Sequence, residues 1–456
     1  MNALVVGMGV SGFSIAAHLL DAAGGARAQI TAVDSRAKPP MAAQLQKHLP
    51  QVKTMTGEDF YRWDERRFLQ YDRIALSPGV PPQRVNAPAA KITGDAALFA
   101  ESFARSGAQT KLLAITGTNG KSTTVSLAHD LCLAAGLRAD VAGNIGEPLL
   151  AALARWRRCG FPDVAVLELS SFQLETAPSL PLWAAAALNI DDDHLDRHGD
   201  MDSYAAIKAR IYDGAKYCII NADDKRVMTM PVGGRRVLFS MSDAKCDWFV
   251  RDERISGEGC DYPLAQISAD AQTENVLAAL ALTGTLVRWQ EDGRRAAMQK
   301  ALMQFAALPH RRREVLMRGG VSFVDDSKAT NVHSSCFALR SIDTPAVLIA
   351  GGDGKGQRFT PLAKTAKGRV CFAVVIGKDA PKLQAAFSAE GVKTLHAPTM
   401  ARAVVLAYQH CPPGGAVLLS PACSSLDMFA DYRARGDAFL AAAQSLPQRF
   451  PEGAKQ

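Results

Sequence analysis

The octet T-G-T-N-G-K-S-T, Thr116 to Thr123, has the residue types and spacing of a phosphate loop. Gly117 and Gly120 let backbone N–H groups face anionic oxygens, with Thr118 and Asn119 between them. Lys121 reaches the β- and γ-phosphates, and Ser122 or Thr123 can ligate Mg²⁺. The loop departs from the usual G-x-x-x-x-G-K-[ST], because Ile115 stands where the first glycine belongs. A second glycine-rich turn, Gly7-Met8-Gly9-Val10-Ser11-Gly12, fits G-x-G-x-x-G, and an acidic residue follows at Asp34. Its glycines permit a tight turn and close approach of a pyrophosphate to a helix N-terminus. NAD is the default ligand for such a turn, but any uridine or adenosine diphosphate uses the same geometry. A tight turn that binds nothing would use the same glycines.

Further polar clusters follow these loops. Glu168 ends the apolar run "VLE", where a carboxylate can hold a cation or cap the following helix. "DDDHLDRH" gathers four aspartates and two histidines, His194 among them, and would also serve as a solvated loop. Lys208 in "YAAIKARIY" reads, on its own, as a helix-surface lysine. Asp326 and Lys328 follow the strand-like "VSFVDD", and Lys355 lies in the glycine-rich "GGDGKG", where a solvated lysine is the plain reading.

Apart from Lys208, these clusters follow short apolar, strand-like runs, and helical periods recur between the runs. Examples are "ALVVGMG", "KLLAITG", "DVAVLELSS", "VSFVDDS", "AVLIAGGDG" and "GAVLLSPAC". That alternation predicts an α/β protein with largely parallel sheets covered on both faces, ligands sitting beyond the carboxyl ends of the strands. The pattern restarts twice, so three domains are expected: residues 1–93, 94–307 and 308–456. The first and last read as Rossmann-like, and the central one as a P-loop-type ATPase domain with a parallel sheet.

The 456 residues exceed what one ordinary core accommodates. With 48% hydrophobic and 21% charged residues the composition is globular, and a net charge of +7 without a basic block argues against nucleic acid. Nine scattered cysteines contain no C-x-x-C pair, which fits thiols in a reducing compartment. No run reaches the roughly 18 apolar residues of a membrane span. The N-terminus lacks the basic n-region of a signal peptide. A cytoplasmic protein without membrane insertion is expected.

The octet resembles the ATP-binding signature of the Mur ligases and folylpolyglutamate synthetases, ATP-dependent amide-forming enzymes. "GNIG", "LELSSFQLE", "DDHLDRH", "LPHRRREV", "DDSKATN", "GGDGKG" and "LSPACSSLDMF" follow at similar intervals and extend the resemblance over the whole chain. "SSFQLE" and "DSKATN" resemble the glutamate-adding branch, and no diaminopimelate-type D-N-P-R occurs. The resemblance implies three domains, the substrates UDP-N-acetylmuramoyl-L-alanine and D-glutamate, an acyl-phosphate intermediate, and a monomer serving peptidoglycan precursor synthesis.

The resemblance also assigns the two glycine loops different work. The first becomes a cradle for the UDP handle of the substrate, lined by Val10, Ser11, Ser35, Arg36, Ser77, Pro78 and Gly79, with Asn144 at the muramoyl-alanine portion. The second holds the ATP that reacts. Lys121 faces the transferring phosphate, and Glu168 and Ser122 hold Mg²⁺. His194 is implied as a ligand of a second Mg²⁺, supported by Lys208 once CO₂ has carbamylated it. ATP contacts are implied for Asn275, His310, Arg311, Asp326 and Lys328, and glutamate contacts for Thr330, Lys355, Ser425 and Tyr432. Lys121 and Arg311 then lie in different domains, and the domains are expected to close on substrate.

Two features depart from the family pattern. Gln272 replaces the first asparagine of an adenine-contacting H-N-x-x-N segment, and Tyr432 stands where phenylalanine is commoner. Arg312 and Arg313 have no assigned role. An oxidoreductase built on the first loop would leave Lys121, Glu168, His194 and Lys355 without work. A non-catalytic nucleotide-binding protein would not need Lys121 and Glu168. A relative adding L-glutamate or another amino acid is the nearest alternative.

Overall fold

The computed structural model describes residues 1–22, 24, 28–268, 270–291, 293–306 and 308–447. Three sheets carry the molecule. The first contains β1 (Asn2–Val6), β2 (Gln29–Asp34), β3 (Lys53–Thr56), β4 (Arg73–Leu76) and β5 (Ile92–Gly94), in the order β3-β2-β1-β4-β5 and parallel throughout.

The second sheet has nine strands. They are β6 (Lys111–Thr116), β7 (Ala139–Gly143), β8 (Val164–Glu168), β9 (Ala184–Ala187), β10 (Tyr217–Asn221), β11 (Arg235–Ser240), β12 (Trp248–Arg251), β13 (Arg254–Gly257) and β14 (Cys260–Pro263). Their order is β14-β13-β12-β11-β10-β9-β6-β8-β7. Only the β12–β13 and β13–β14 pairs are antiparallel. A hairpin of short strands can extend a parallel sheet that way, since it needs no crossover helix.

The third sheet contains β15 (Arg313–Arg318), β16 (Val321–Asp325), β17 (Ala346–Gly351), β18 (Val370–Ile376), β19 (Thr394–His396) and β20 (Ala416–Leu419), ordered β15-β16-β20-β17-β18-β19. All its pairs are parallel except β15–β16. Side chains alternate between two apolar cores. Val347, Ile349, Val374, Ile376, Val417 and Leu419 join one, and Leu348, Ala350, Ala373, Val375 and Leu418 join the other. Successive strand residues point to opposite faces, so a strand covered on both sides reads as an unbroken apolar run.

The first two sheets belong to one compact unit, residues 1–190 and 202–306, while the third sheet and the segment Asp191–Met201 form another. In each sheet the polar clusters lie at or just beyond the carboxyl ends of parallel strands: Asp34 closes β2, Glu168 closes β8, and Asp326 follows β16. Among the described residues no helix is long and apolar enough to cross a membrane.

Candidate functional site

The phosphate loop leaves β6 beside β8, where Ile115 lies opposite Glu168. The Thr116 hydroxyl ties the strand ends together by donating to the Leu169 carbonyl at 2.7 Å. The loop then turns through Gly120, whose φ is +81° and where an added Cβ would collide with Asn275 Oδ1. A side chain there meets both backbone strain and a clash, so glycine is required. The helix Lys121–Ala134 follows, bringing its first N–H groups to the loop.

Lys121 Nζ arches back and donates to the carbonyls of Gly117 (2.7 Å) and Thr118 (2.8 Å). Asn189 supports the loop from below, accepting from the Thr118 N–H with its carbonyl and from the Asn119 N–H with Oδ1. Lys208 is 1% exposed, and its Nζ donates to the Gly117 carbonyl at 2.8 Å and to Thr116 Oγ1 at 3.3 Å. The helix-surface reading of Lys208 therefore fails: its helix, Met201–Ala209, turns that side chain inward onto the loop.

Glu168 is buried, and Asn144 Nδ2 donates to its Oε1 at 2.6 Å. The Asn144 N–H also bonds the Glu168 carbonyl at 2.9 Å. Asn144, expected at the substrate, also holds the carboxylate. Glu168 Oε2 is buried without a hydrogen-bond partner among the described residues. A carboxylate oxygen removed from water and left unpaired is costly, and a cation relieves that cost. Ser122 is buried in the first turn of the helix after the loop. Asn275 accepts from Thr124 Oγ1 and donates to Gln272 Oε1, both at 3.3 Å, so the substituted Gln272 bonds within its own segment.

In the first sheet the turn after β1 meets the turn after β4. The Ser77 N–H bonds the Val6 carbonyl, and a Cβ on Gly7 would lie 2.9 Å from Ser77 Cβ. Val10, Ser35, Arg36 and Gly79 are exposed along this edge, and Ser11, Ser77 and Pro78 are half-buried. Asp34 is buried. Its Oδ2 accepts from the Met8 N–H and from Arg36 Nη2, each at 2.7 Å, and its Oδ1 accepts from Arg36 Nε and N. Burial pushes its carboxyl up, but the Arg36 and Met8 bonds outweigh that and hold it below the usual range. The ribose-partner role of a dinucleotide fingerprint is closed to it, because both oxygens are engaged in shaping the turn.

The second compact unit assembles the remaining candidates. His310, at a left-handed φ of 63°, places Nδ1 2.7 Å from Asp325 Oδ2 and meets the Tyr432 ring edge-on at 6.2 Å. Lys328 Nζ lies 4.1 Å over the same ring, a cation–π contact. Asp326 turns inward and accepts from Ser420 Oγ at 2.8 Å, and burial raises its carboxyl to about 7. Arg311 is half-buried. Arg312 lies 4.7 Å over Phe337 and bonds Ser341 Oγ, which gives it a packing role; nothing explains the exposed Arg313.

Lys355 is not solvated. Its Nζ pairs with Asp193 Oδ1 at 2.5 Å, and Asn331 Nδ2 reaches Asp193 Oδ2 at 3.4 Å. His194 follows at φ 54°, its N–H bonded to Asp193 Oδ1. Ser425 is buried beyond β20, where Ser424 and Asp353 exchange backbone bonds, so its loop and that of Lys355 are adjacent. Thr330 is half-buried after β16. Sequence reasoning gave no individual role to Asp193, Asp325 or Asn189, which hold Lys355, His310 and the phosphate loop. Of these only Asp193 and Asp325 carried a local signal, a run of acidic residues after an apolar strand.

Three family models match successive parts of the chain. The model for the MurD-like N-terminal domain of Mur ligases matches residues 1–96, the Mur ligase middle domain residues 115–283, and the Mur ligase glutamate ligase domain residues 311–423. The UDP-N-acetylmuramoylalanine–D-glutamate ligase of Aromatoleum aromaticum is 41% identical, over 98% of each chain. That of Thiobacillus denitrificans is 41% identical, over 97% of this chain and 96% of its own. The fold is shared with the crystal structure of UDP-N-acetylmuramate–alanine ligase from Thermotoga maritima, with a TM-score of 0.61 at 15% identity over 97% of this chain and 99% of that one.

Proposed function

We propose, since the chain belongs to the Mur ligase family, that it uses ATP to join D-glutamate to UDP-N-acetylmuramoyl-L-alanine in peptidoglycan precursor synthesis. The observation that carries the reading is the abutting of the phosphate loop and Glu168 at neighbouring strand ends, with Glu168 Oε2 buried and unpaired.

Amide formation from a carboxylate is uphill in water, so the carboxylate is first activated. The alanyl carboxylate attacks the γ-phosphorus and ADP leaves. The glutamate amine then attacks the acyl carbon and phosphate departs. Such chemistry asks the protein for positioning and charge neutralisation. Asn189 holds the Thr118 and Asn119 N–H groups, which leaves those from Gly120 to Ser122 to bind phosphate oxygens, and Lys121, already poised over the loop, neutralises the transferring group. Thr123 and Asn275 complete the ATP side.

The donor set at Glu168 and Ser122 fits one Mg²⁺, a cation that takes one or two protein oxygens and fills its remaining positions from phosphate and water. Bound there, it would neutralise charge developing on the transferring phosphoryl group. A second ion at His194 requires Lys208 to become a carbamate, because its ammonium is a donor and no ligand for a cation. Val10, Ser11, Ser35, Arg36, Ser77, Pro78 and Gly79 would take the UDP moiety. His310, Arg311, Asp326 and Lys328 would serve ATP, and Thr330, Lys355, Ser425 and Tyr432 glutamate. Lys355 would exchange Asp193 for a substrate carboxylate. Domains at 1–93, 94–307 and 308–456, a monomeric state and a cytoplasmic location complete the proposal.

The test is phosphate release from ATP with UDP-N-acetylmuramoyl-L-alanine and D-glutamate, L-glutamate, meso-diaminopimelate or no amino acid. Release that depends on D-glutamate is expected. Release with L-glutamate alone would overturn the stereochemical assignment, and release with none would overturn the activity.

A further inference from the structure

Arg435 is one of the largest fully buried side chains, 0% exposed in the first turns of the helix Tyr432–Gln444. Among the described residues it makes no ion pair. Each of its three guanidinium nitrogens donates instead to a neutral oxygen. Nε donates to Ser327 Oγ at 3.0 Å, Nη2 to the Ser327 carbonyl at 2.7 Å, and Nη1 to the Cys423 carbonyl at 3.0 Å. Taking a cation out of water without a counter-ion is strongly unfavourable. Burial pulls its pKa down to about 10, which leaves it charged at neutral pH. A stability argument alone does not explain such a residue, since an apolar side chain of similar volume would pack there without that penalty.

Its partners explain it. Ser327 precedes Lys328 in the turn after β16, and its hydroxyl donates to the Tyr432 carbonyl at 2.7 Å. The Ser327 N–H donates to Asp325 Oδ1 at 2.8 Å, and the other oxygen of Asp325 holds His310. The Lys328 N–H bonds the His310 carbonyl at 3.1 Å. Cys423 lies two residues before Ser425 and follows Ala422, which sits at a left-handed φ of 58°. One planar fork therefore spans the turn bearing Lys328, the loop bearing Ser425 and the helix start bearing Tyr432. Arg suits this task because its donors lie in a fixed plane, which a lysine does not reproduce.

We infer that Arg435 is a positioning residue that locks the ATP-side group (His310, Lys328) and the glutamate-side group (Ser425, Tyr432) into one rigid piece, so that both substrates depend on it together. The inference rests on the function proposed above for those four residues. It is tested with Arg435→Lys, which keeps charge and loses the fork, and with Ser327→Ala, which removes one acceptor and spares the guanidinium.

Folding is checked by circular dichroism, and the affinity for UDP-N-acetylmuramoyl-L-alanine by calorimetry. In folded Arg435→Lys the KM values for D-glutamate and for ATP both rise, by at least about tenfold, while affinity for the UDP substrate stays within about twofold. Ser327→Ala moves both KM values the same way by a smaller factor, and decides the matter if Arg435→Lys does not fold. A folded variant with both KM values unchanged, or with only one raised, overturns the inference. Affinity for a non-hydrolysable ATP analogue is measured in parallel. If the wild type shows no glutamate-dependent phosphate release, the functional reading fails, and analogue affinity alone decides Arg435: undiminished binding in the folded variants overturns it.

Discussion

Asn144 Nδ2 donates to Glu168 Oε1 at 2.6 Å, while Glu168 Oε2 has no hydrogen-bond partner among the described residues. Glu168 closes β8 and Asn144 directly follows the neighbouring β7, so the sheet register itself brings them together. The asparagine fixes one oxygen and orients the other.

Asn144→Ala should therefore leave Glu168 in place but free to rotate. Loss of such a supporting partner usually lowers metal affinity or activity by about 10- to 100-fold. A Mg²⁺ titration of turnover checks this: the half-saturating concentration should rise.

Lys121→Ala removes the ammonium that arches over Gly117 and Thr118. Turnover should fall by on the order of 10³-fold or more, as for loss of a preorganised charge at a transferring group. Calorimetry should find UDP-substrate binding intact, because Val10, Ser11 and Ser77 belong to a different sheet. Equal loss of both would argue against separate sites.

Asp326 carries a raised pKa, about 7, chiefly because it is buried. The folded protein holds a proton that the unfolded chain releases above pH ~4. Stability thus falls as pH rises between those values, by at most about 1.4 kcal/mol for each pH unit, and levels off above about 7. Asp326→Asn, which retains an acceptor for Ser420, should raise the urea midpoint at pH 8 and leave it unchanged near pH 4. An equal gain at both would show that the carboxyl ionises freely in the fold.

Gly436→Ala drives a Cβ into His310 Nδ1 and places it 2.7 Å from Asp325 Oδ2. The His310–Asp325 pair must then part or the helix start must shift. Overpacking of that kind destabilises by about 1–3 kcal/mol. A lowered denaturant midpoint together with a raised KM for ATP is expected, and an unchanged midpoint would mean that the helix moves aside freely.

The three-domain α/β architecture, both glycine loops and the strand ends that carry Glu168, Asp326 and Lys355 are legible in the sequence itself. These features are local. Apolar runs of strand length, a glycine at a forced turn and a following helical period lie within a dozen residues of one another, so composition and period suffice to read them. The partners of the site residues came from the folded molecule. Asn144 meets Glu168 across 24 residues, Arg435 meets Ser327 across 108, and Lys355 meets Asp193 across 162. The first two pairings depend on strand order, which sets β7 beside β8 and places β20 between β16 and β17. No local period encodes that order, because a side chain's burial and the identity of its partner are set by packing among distant segments. For the same reason Lys208, a surface lysine by its helical context, lies buried against the phosphate loop, and Lys355, a solvated lysine by its glycine-rich surroundings, is held by a buried carboxylate.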